Sequence, residues 1–235
     1  MLDLERWRAR GRDLAEFIFP QRCVVCGRFG DAIHAPCVDA LPLADGPRCR
    51  TCWAPARSVT CPACAADDRR DGFDALRARF RFAEAARRAL LEAKFRGITA
   101  LLPPLARAAS EAVERDWWLD VVVPIPLSSA RQRRRGYNQA AIVAETVATA
   151  LDLPHHPAAL ARTRNTAAQA RLTAEARATN LAGAFAARHP ATIRGARVLL
   201  VDDITTTGAT LNEAARTLRL AGASAVFALA VARED

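Results

Sequence analysis

The chain has 235 residues, of which 51% are hydrophobic; this excludes wholesale disorder and allows one medium domain plus a small one. The formal net charge of +9 at pH 7 favours anionic partners such as phosphates, nucleic acid or acidic proteins. No apolar run approaches the roughly 18 residues of a membrane-spanning helix, and no signal-peptide core is visible, so we expect a location in the reducing cytoplasm.

The first predicted element is an amphipathic helix over residues 2–19, which ends before Pro20. Its apolar face favours docking on the protein's own core over attachment to a membrane surface. Acidic residues interrupt the arginine-rich start of this segment, which argues against a transit peptide.

All seven cysteines lie between positions 23 and 64, mostly as C-x-x-C pairs. This spacing is typical of zinc ligands because the two sulfur atoms of a pair can reach one ion, and the odd number of cysteines argues against a full disulfide framework. The eight candidate ligands are Cys23, Cys26, His34, Cys37, Cys49, Cys52, Cys61 and Cys64.

Eight ligands are enough for two tetrahedral Zn2+ sites, one formed by the four ligands up to Cys37 and one by the four from Cys49. A crossed arrangement of the same ligands is also compatible with the sequence. His34 lies three residues before Cys37, which favours metal binding over the alternative of an exposed loop residue. We expect a structural role, with binding of nucleic acid or protein as the alternative.

A polar stretch at residues 67–72 predicts a hinge, so the expected organisation is a helix at 1–19, a double zinc ribbon at 20–68 and an α/β domain at 73–235. The alternation in residues 76–82 predicts a strand. Its outward-facing side chains are expected to be Arg77, Arg79 and Arg81.

Two helices are predicted next, at about residues 83–95 and 102–115. Lys94, the only lysine of the chain, lies at the end of the first helix. We interpret it as a solvated helix end rather than as an anion contact. A buried strand at residues 119–123 follows.

The loop after this strand lies at its carboxyl end, where open α/β sheets bind ligands, so it is a candidate for a phosphate site. The residues assigned to it are Pro124, Ile125, Pro126 and Leu127. The densest positive charge of the chain comes next, and beside a phosphate site it favours contact with phosphate or nucleic acid over a solvated basic face. The residues assigned to this contact are Arg131, Arg133, Arg134, Arg135 and Tyr137.

A helix at residues 139–151 and a short strand at 155–160 are predicted after the basic run. Residues 162–180 are polar and arginine-rich, which indicates either an exposed helix or a mobile lid that excludes water from a sugar phosphate. Residues 180–185 are expected to return to the sheet, and residues 225–231 to form its last strand.

The most informative stretch is VLLVDDITTTGATL, at residues 198–211. Its apolar start predicts a buried parallel strand that ends at Val201, directly before Asp202 and Asp203. Two adjacent carboxylates can accept hydrogen bonds from vicinal hydroxyls or hold Mg2+ through water, and a hydroxyl- and glycine-rich loop before a helix suits a terminal phosphate. The loop residues are Thr205, Thr206, Thr207, Gly208, Ala209 and Thr210.

A sugar phosphate satisfies both halves of this stretch, which closely resembles the binding motif for phosphoribosyl pyrophosphate (PRPP) in type I phosphoribosyltransferases. The alternative is a plain strand–turn–helix in which a threonine caps the helix. Together with the double ribbon, RRRGYNQA at 133–140 and NLAGAF at 180–185, the stretch resembles the ComF family, with one departure: that family usually has cysteine at the position of His34.

The resemblance implies a mostly parallel α/β sheet of the phosphoribosyltransferase type, flanked by helices, and an association with DNA uptake in natural competence. It also implies that Asp202 and Asp203 hold ribose hydroxyls, that residues 205–210 hold the 5′-phosphate, and that residues 124–127 line the pyrophosphate site. The expected ligands are PRPP with Mg2+, or ribose 5-phosphate, and structural Zn2+; competence proteins are expected partners.

Three functions are compatible with the sequence. The first is binding of Mg-PRPP, with transfer of its ribose 5-phosphate group to a nitrogenous acceptor. The second is a non-catalytic protein that holds single-stranded DNA with the phosphate loop and the basic run. The third is a ribose 5-phosphate transferase of nucleotide metabolism. No acceptor-binding residue is identifiable from the sequence.

Overall fold

The computed structural model describes residues 21–66, 72–164 and 181–235. The predicted N-terminal helix at 2–19, the polar hinge apart from Gly72, and most of the predicted lid at 162–180 lie outside these residues. Among the described helices, none combines the length and apolar character needed to cross a membrane.

The centre of the described fold is a sheet of four parallel strands in the order β1-β6-β5-β2. The described strands are β1 (Ala75–Arg81), β2 (Val121–Pro124), β3 (Leu160–Arg162), β4 (Phe185–Ala187), β5 (Arg197–Thr205) and β6 (Ala225–Arg233). All nine residues of β6 are buried, which explains its nearly continuous apolar sequence: a central parallel strand is covered on both faces.

Helices cover both faces of this sheet. The described α-helices are α1 (Ala35–Asp39), α2 (Pro62–Ala66), α3 (Glu84–Phe95), α4 (Leu102–Ser110), α5 (Ser129–Arg135), α6 (Gln139–Leu151) and α7 (Ala209–Leu220). Helices α3, α4 and α6 pack with Leu199 and Val201 in one core, whereas α7 packs with Val198 and Leu200 in the other. The expected α/β class with a mostly parallel, helix-flanked sheet is therefore confirmed.

Several sequence-based boundaries were wrong. Helix α4 ends at Ser110 rather than near residue 115, and a 3-10 turn follows at Arg115–Trp117. In the segment predicted as a strand at 155–160, His155 makes a single bridge to Val122, and the strand β3 begins at Leu160. Residues 180–185 do not rejoin the main sheet, because β4 pairs only with β3, antiparallel, among the described strands.

Residues of the cysteine-rich segment cover the edge strand β1. Leu43 bridges to Phe80, and the Ala44 N–H donates to the Arg79 carbonyl over 2.8 Å. This packing buries Arg77, which was expected on the outer face of the strand: its guanidinium binds Glu114 over 2.7 Å and lies 4.4 Å from the ring of Trp53. An unpaired strand edge is a site of aggregation, and here the cysteine-rich segment covers it.

Candidate functional site

The paired acids lie on β5 at the carboxyl end of the sheet. Strand β2 stops at Pro124, opposite Val201, whereas β6 continues to Arg233, opposite Thr205. The prediction that the strand ends at Val201 is therefore wrong: the hydrogen-bonded neighbour β6 keeps Asp202 and Asp203 in strand geometry. On the β2 side the acids extend beyond the neighbouring strand, which leaves space beside them.

Asp203 is 6% exposed, and its carboxylate oxygen Oδ2 lies 3.4 Å from Nζ of Lys94. Its other oxygen accepts a hydrogen bond from the Ile204 N–H over 2.9 Å, and the Asp203 N–H donates to Oδ1 of Asp202 over 2.8 Å. Lys94, in the last turn of α3, is thus part of the site rather than a solvated helix end. Its status as the only lysine was the one sequence signal that could have indicated this.

The electrostatics of the two acids differ from those of ordinary surface carboxylates. Burial, and then the negative charge of Asp203, raise the pKa of Asp202 well above its usual value, while the charge of Lys94 opposes this rise. Two carboxylates this close repel each other unless a cation or hydroxyl donors lie between them. The pair of carboxylates is therefore suited to a ligand that supplies a cation or hydroxyl groups.

The bend after the acids passes directly into a helix. Gly208 has φ +79° and precedes Ala209, the first residue of α7, so the helix begins inside the predicted loop of residues 205–210. A Cβ at Gly208 would lie 3.4 Å from the ring of Phe73, and the left-handed φ independently favours glycine. The Ala209 N–H donates to Thr207 Oγ1 over 3.3 Å. Since the first amides of a helix have no partner within it, this bend offers donors to an anion.

The loop after β2 lies beside β5 at the same edge. The Ile125 N–H donates to the Val201 carbonyl over 2.8 Å, and the Asn138 side-chain amide donates to the Ile125 carbonyl over 3.0 Å. Asn138 also caps α6, and Ser128 caps α5, so two helix starts hold this loop in place. The structure thus brings the predicted pyrophosphate loop and the paired acids to one edge of the sheet.

The basic run forms the short helix α5, which divides its arginines into two groups. Burial lowers the pKa of Arg131, as do the charges of Arg135 and Arg134. Burial also lowers the pKa of Arg162, followed by the charge of Arg131, while the charge of Asp202 raises it. Arg162 therefore belongs to the electrostatic surroundings of Asp202, and the charge of Arg131 acts on Arg162 in turn.

The remaining arginines of α5 lie further out, since Arg133 and Arg134 are exposed. Arg135 donates to Oε1 of Gln139 over 2.6 Å. The hydroxyl of Tyr137 donates to the Ala93 carbonyl, which fixes its half-buried ring against α3. Stacking of a base on Tyr137 stays a prediction.

The eight predicted metal ligands form two separate clusters, in the tandem arrangement rather than the crossed one. Within each cluster the potential ligand atoms lie within 4.8 Å of one another. The first contains Cys23, Cys26, His34 and Cys37, and the second contains Cys49, Cys52, Cys61 and Cys64.

The geometry of both clusters fits zinc. Nδ1 of His34 lies 3.4 Å from Sγ of Cys26, and Sγ of Cys52 lies 3.6 Å from Sγ of Cys61. Tetrahedral Zn2+ with Zn–S bonds of ~2.3 Å places its sulfur ligands about 3.8 Å apart. Four ligands per cluster leave no open position, so both clusters are consistent with structural zinc.

The cysteine pKa values also suit metal binding. Burial raises the pKa of the Cys49 thiol, but hydrogen bonds from backbone amides outweigh it and bring the pKa to about 6; the same balance gives Cys23 a pKa of about 6. Burial and the neighbouring thiols raise the pKa of Cys37 to about 11, as expected where sulfur atoms crowd together. Zinc binds thiolates, so amides that stabilise a thiolate favour the bound ion.

Hydrogen bonds from two consecutive residues connect the second metal cluster to the bend. The buried Arg233 guanidinium donates to the Cys52 carbonyl over 2.9 Å. The next residue, Glu234, donates its N–H to the Thr205 carbonyl, also over 2.9 Å. The carboxyl end of β6 thus holds both the cysteine cluster and the start of the phosphate bend.

Residues 99–234, more than half of the chain, match the family described as Phosphoribosyl transferase domain. The chain belongs to this family. The match includes the loop after β2, both acids and the bend, whereas Lys94 and the two metal clusters lie before the matched residues.

The chain is also similar to curated proteins with names linked to DNA. It is 38% identical to Competence protein F of Haemophilus influenzae over 48% of this chain and 50% of that protein, and 38% identical to the DNA utilization protein YhgH of Escherichia coli K12 over 46% of each. It is 40% identical to Competence protein ComFC of Bacillus subtilis over 45% of this chain and 40% of that protein. The matches thus span half or less of these relatives' lengths. Together with the two metal clusters, they confirm the resemblance to the ComF family.

Proposed function

We propose that the chain binds PRPP together with Mg2+ at the carboxyl end of β5. The observation that carries this proposal is the continuity of the site: Asp202 and Asp203 in strand geometry, then a bend whose Gly208 passes directly into α7. Family membership supports it, because the matched domain spans both parts.

In this proposal each part of the site holds one part of the ligand. The acids accept hydrogen bonds from the ribose 2′- and 3′-hydroxyls, and Mg2+ near them offsets the charge repulsion that raises the pKa of Asp202. Residues 205–210 hold the 5′-phosphate through helix amides and hydroxyls. The loop at residues 124–127 holds the pyrophosphate, and the nearby arginines Arg131 and Arg162 neutralise it.

The corresponding reaction is transfer of the phosphoribosyl group. The bond between C1 of the ribose and the pyrophosphate oxygen breaks, a bond from C1 to an acceptor nitrogen forms, and the acceptor loses a proton. The protein's contribution is to position the two ligands and to stabilise the leaving anion. Lys94 supports this chemistry indirectly, since its charge favours the ionised state of Asp202.

A phosphorus NMR titration tests the proposed orientation, because PRPP has separate signals for its 5′-phosphate and its pyrophosphate. We expect Mg-PRPP to bind the wild type, and Thr210→Val to weaken binding and alter mainly the 5′-phosphate signal. Arg115→Ala is the matched control, since Arg115 is exposed and precedes β2 at the opposite edge of the sheet. If the wild type leaves the PRPP signals unchanged, the proposal is wrong.

We further propose that this domain acts in DNA uptake, as the names of its relatives suggest. The specific observation in favour of a DNA-binding role is that α5 exposes Arg133 and Arg134 beside the site. Binding of single-stranded DNA should weaken steeply with salt. Arg133, Arg134 and Arg135 changed together to alanine should lower the affinity and flatten this salt dependence; unchanged affinity would exclude the role of this helix.

A further inference from the structure

A cleft of about 450 Å3 opens between the ends of α3 and α5. It adjoins the paired acids, because one of its lining residues is Lys94, whose Nζ lies 3.4 Å from Asp203. The ends of α3 and α5 and the turns that follow them supply the other lining residues, which include Phe95, Arg96, Arg134, Arg135 and Tyr137.

The lining of this cleft is strongly cationic. Among the described residues that line it are four basic side chains and no carboxylate. Arg96 makes an i,i+4 ion pair with Glu92 at 3.1 Å, and Glu92 itself lies outside the lining of the cleft. The positive charge of Arg134 is exposed at the rim. The charge of the lining therefore favours an anionic ligand.

An aromatic ring lies among these charges. Phe95 is 69% exposed although it is one of the larger apolar residues of α3, and the guanidinium of Arg135 lies 5.9 Å from its ring centroid. Tyr137, whose hydroxyl donates a hydrogen bond to α3, adds a second ring to the lining of the cleft. An exposed ring between cations matches a ligand that combines a planar base with a phosphate.

We propose that this cleft binds a nucleotide unit, with the base on Phe95 and the phosphate on Arg96 and Arg134. Through Lys94 the bound nucleotide lies next to the phosphoribosyl site. The inference rests on the proposed function only in taking PRPP as the ligand of the neighbouring site. Nucleotide binding by the cleft itself is measured without PRPP.

The probe is thymidine 3′-monophosphate, which has a base and a phosphate but no 5′-phosphate for the bend at residues 205–210. Calorimetry on the zinc-loaded full chain should give saturable binding to the wild type. Phe95→Leu should weaken it on the order of tenfold, as expected for loss of base stacking. Arg134→Ala should weaken it several-fold and lower the salt slope by about one. The matched control Arg115→Ala should bind as the wild type does.

Equal affinity of Phe95→Leu and wild type, or competition by inorganic phosphate as strong as by the nucleotide, would overturn the inference and leave a simple anion patch. Unchanged ribose 5-phosphate binding by Phe95→Leu separates this result from the failure of the proposed function. A 3′-phosphorylated trithymidylate distinguishes the source: tighter binding than the mononucleotide indicates a DNA strand, and equal binding a free nucleotide.

Discussion

Lys94 and Asp203 provide the sharpest test of how a cation stabilises the buried acid pair. Their charged atoms are 3.4 Å apart, with Asp203 buried and the Lys94 side chain 27% exposed. At this separation the Coulomb energy is about 5 kcal/mol for an effective dielectric constant of ~20, and desolvation and partial exposure reduce it. We therefore expect Lys94→Met, which keeps the apolar stem, to lower the free energy of unfolding by about 2 kcal/mol.

A double-mutant cycle isolates the pair. Lys94→Met, Asp203→Asn and the double variant are compared with the wild type by urea denaturation at pH 7. We expect a coupling energy of about 1–2 kcal/mol, with the double variant more stable than the sum of the single effects requires. Lys94 also lowers the pKa of Asp202, so Lys94→Met should raise that pKa further. Effects that add within about 0.3 kcal/mol would refute the argument that Lys94 neutralises this pair.

Three further predictions follow from the site and the metal clusters. The folded-state pKa of Asp202 is raised, so its contribution to stability is present at acidic pH and is lost as the pH rises through that pKa. Asp202→Asn should therefore raise the melting temperature at pH 8 but not at pH 4. The same substitution should abolish PRPP binding. Gly208→Ala should lower the free energy of unfolding by about 1–2 kcal/mol because φ is +79°. Circular dichroism melts measure this loss of stability, and ribose 5-phosphate titrations measure binding by the same variant. Removal of zinc by a chelator should lower the melting temperature and should weaken PRPP binding, because Arg233 links Cys52 to the end of β6 beside the bend. Metal analysis should find two zinc ions per chain before the chelator is added. Unchanged PRPP binding after full zinc loss would contradict this coupling.

The parts of the fold that the sequence predicted well are those whose signal is local. The apolar run before Asp202, the helix spacing at 139–151 and the C-x-x-C pairs each specify their own structure over short distances. The structure resolved the choice between the tandem and the crossed arrangement, because the ligand atoms of each tandem set lie within 4.8 Å of one another.

The missed features depend on contacts between distant residues. Arg77 is buried because the cysteine-rich segment and Glu114 cover an edge strand, and neither contact is visible in an alternating pattern. Strand β5 extends past Val201 because β6 continues beside it to Arg233. Lys94 joins the site only through the packing of α3 on the sheet, so its sequence neighbours gave no indication of Asp203.

The most direct test of the central claim is isothermal titration calorimetry of the zinc-loaded chain with PRPP, in the presence and absence of Mg2+. We expect one saturable site that requires Mg2+, is lost in Asp202→Asn and Asp203→Asn, and is preserved in Arg115→Ala. Absence of binding to the wild type, or equal binding by the variants at Asp202 and Asp203, would contradict it.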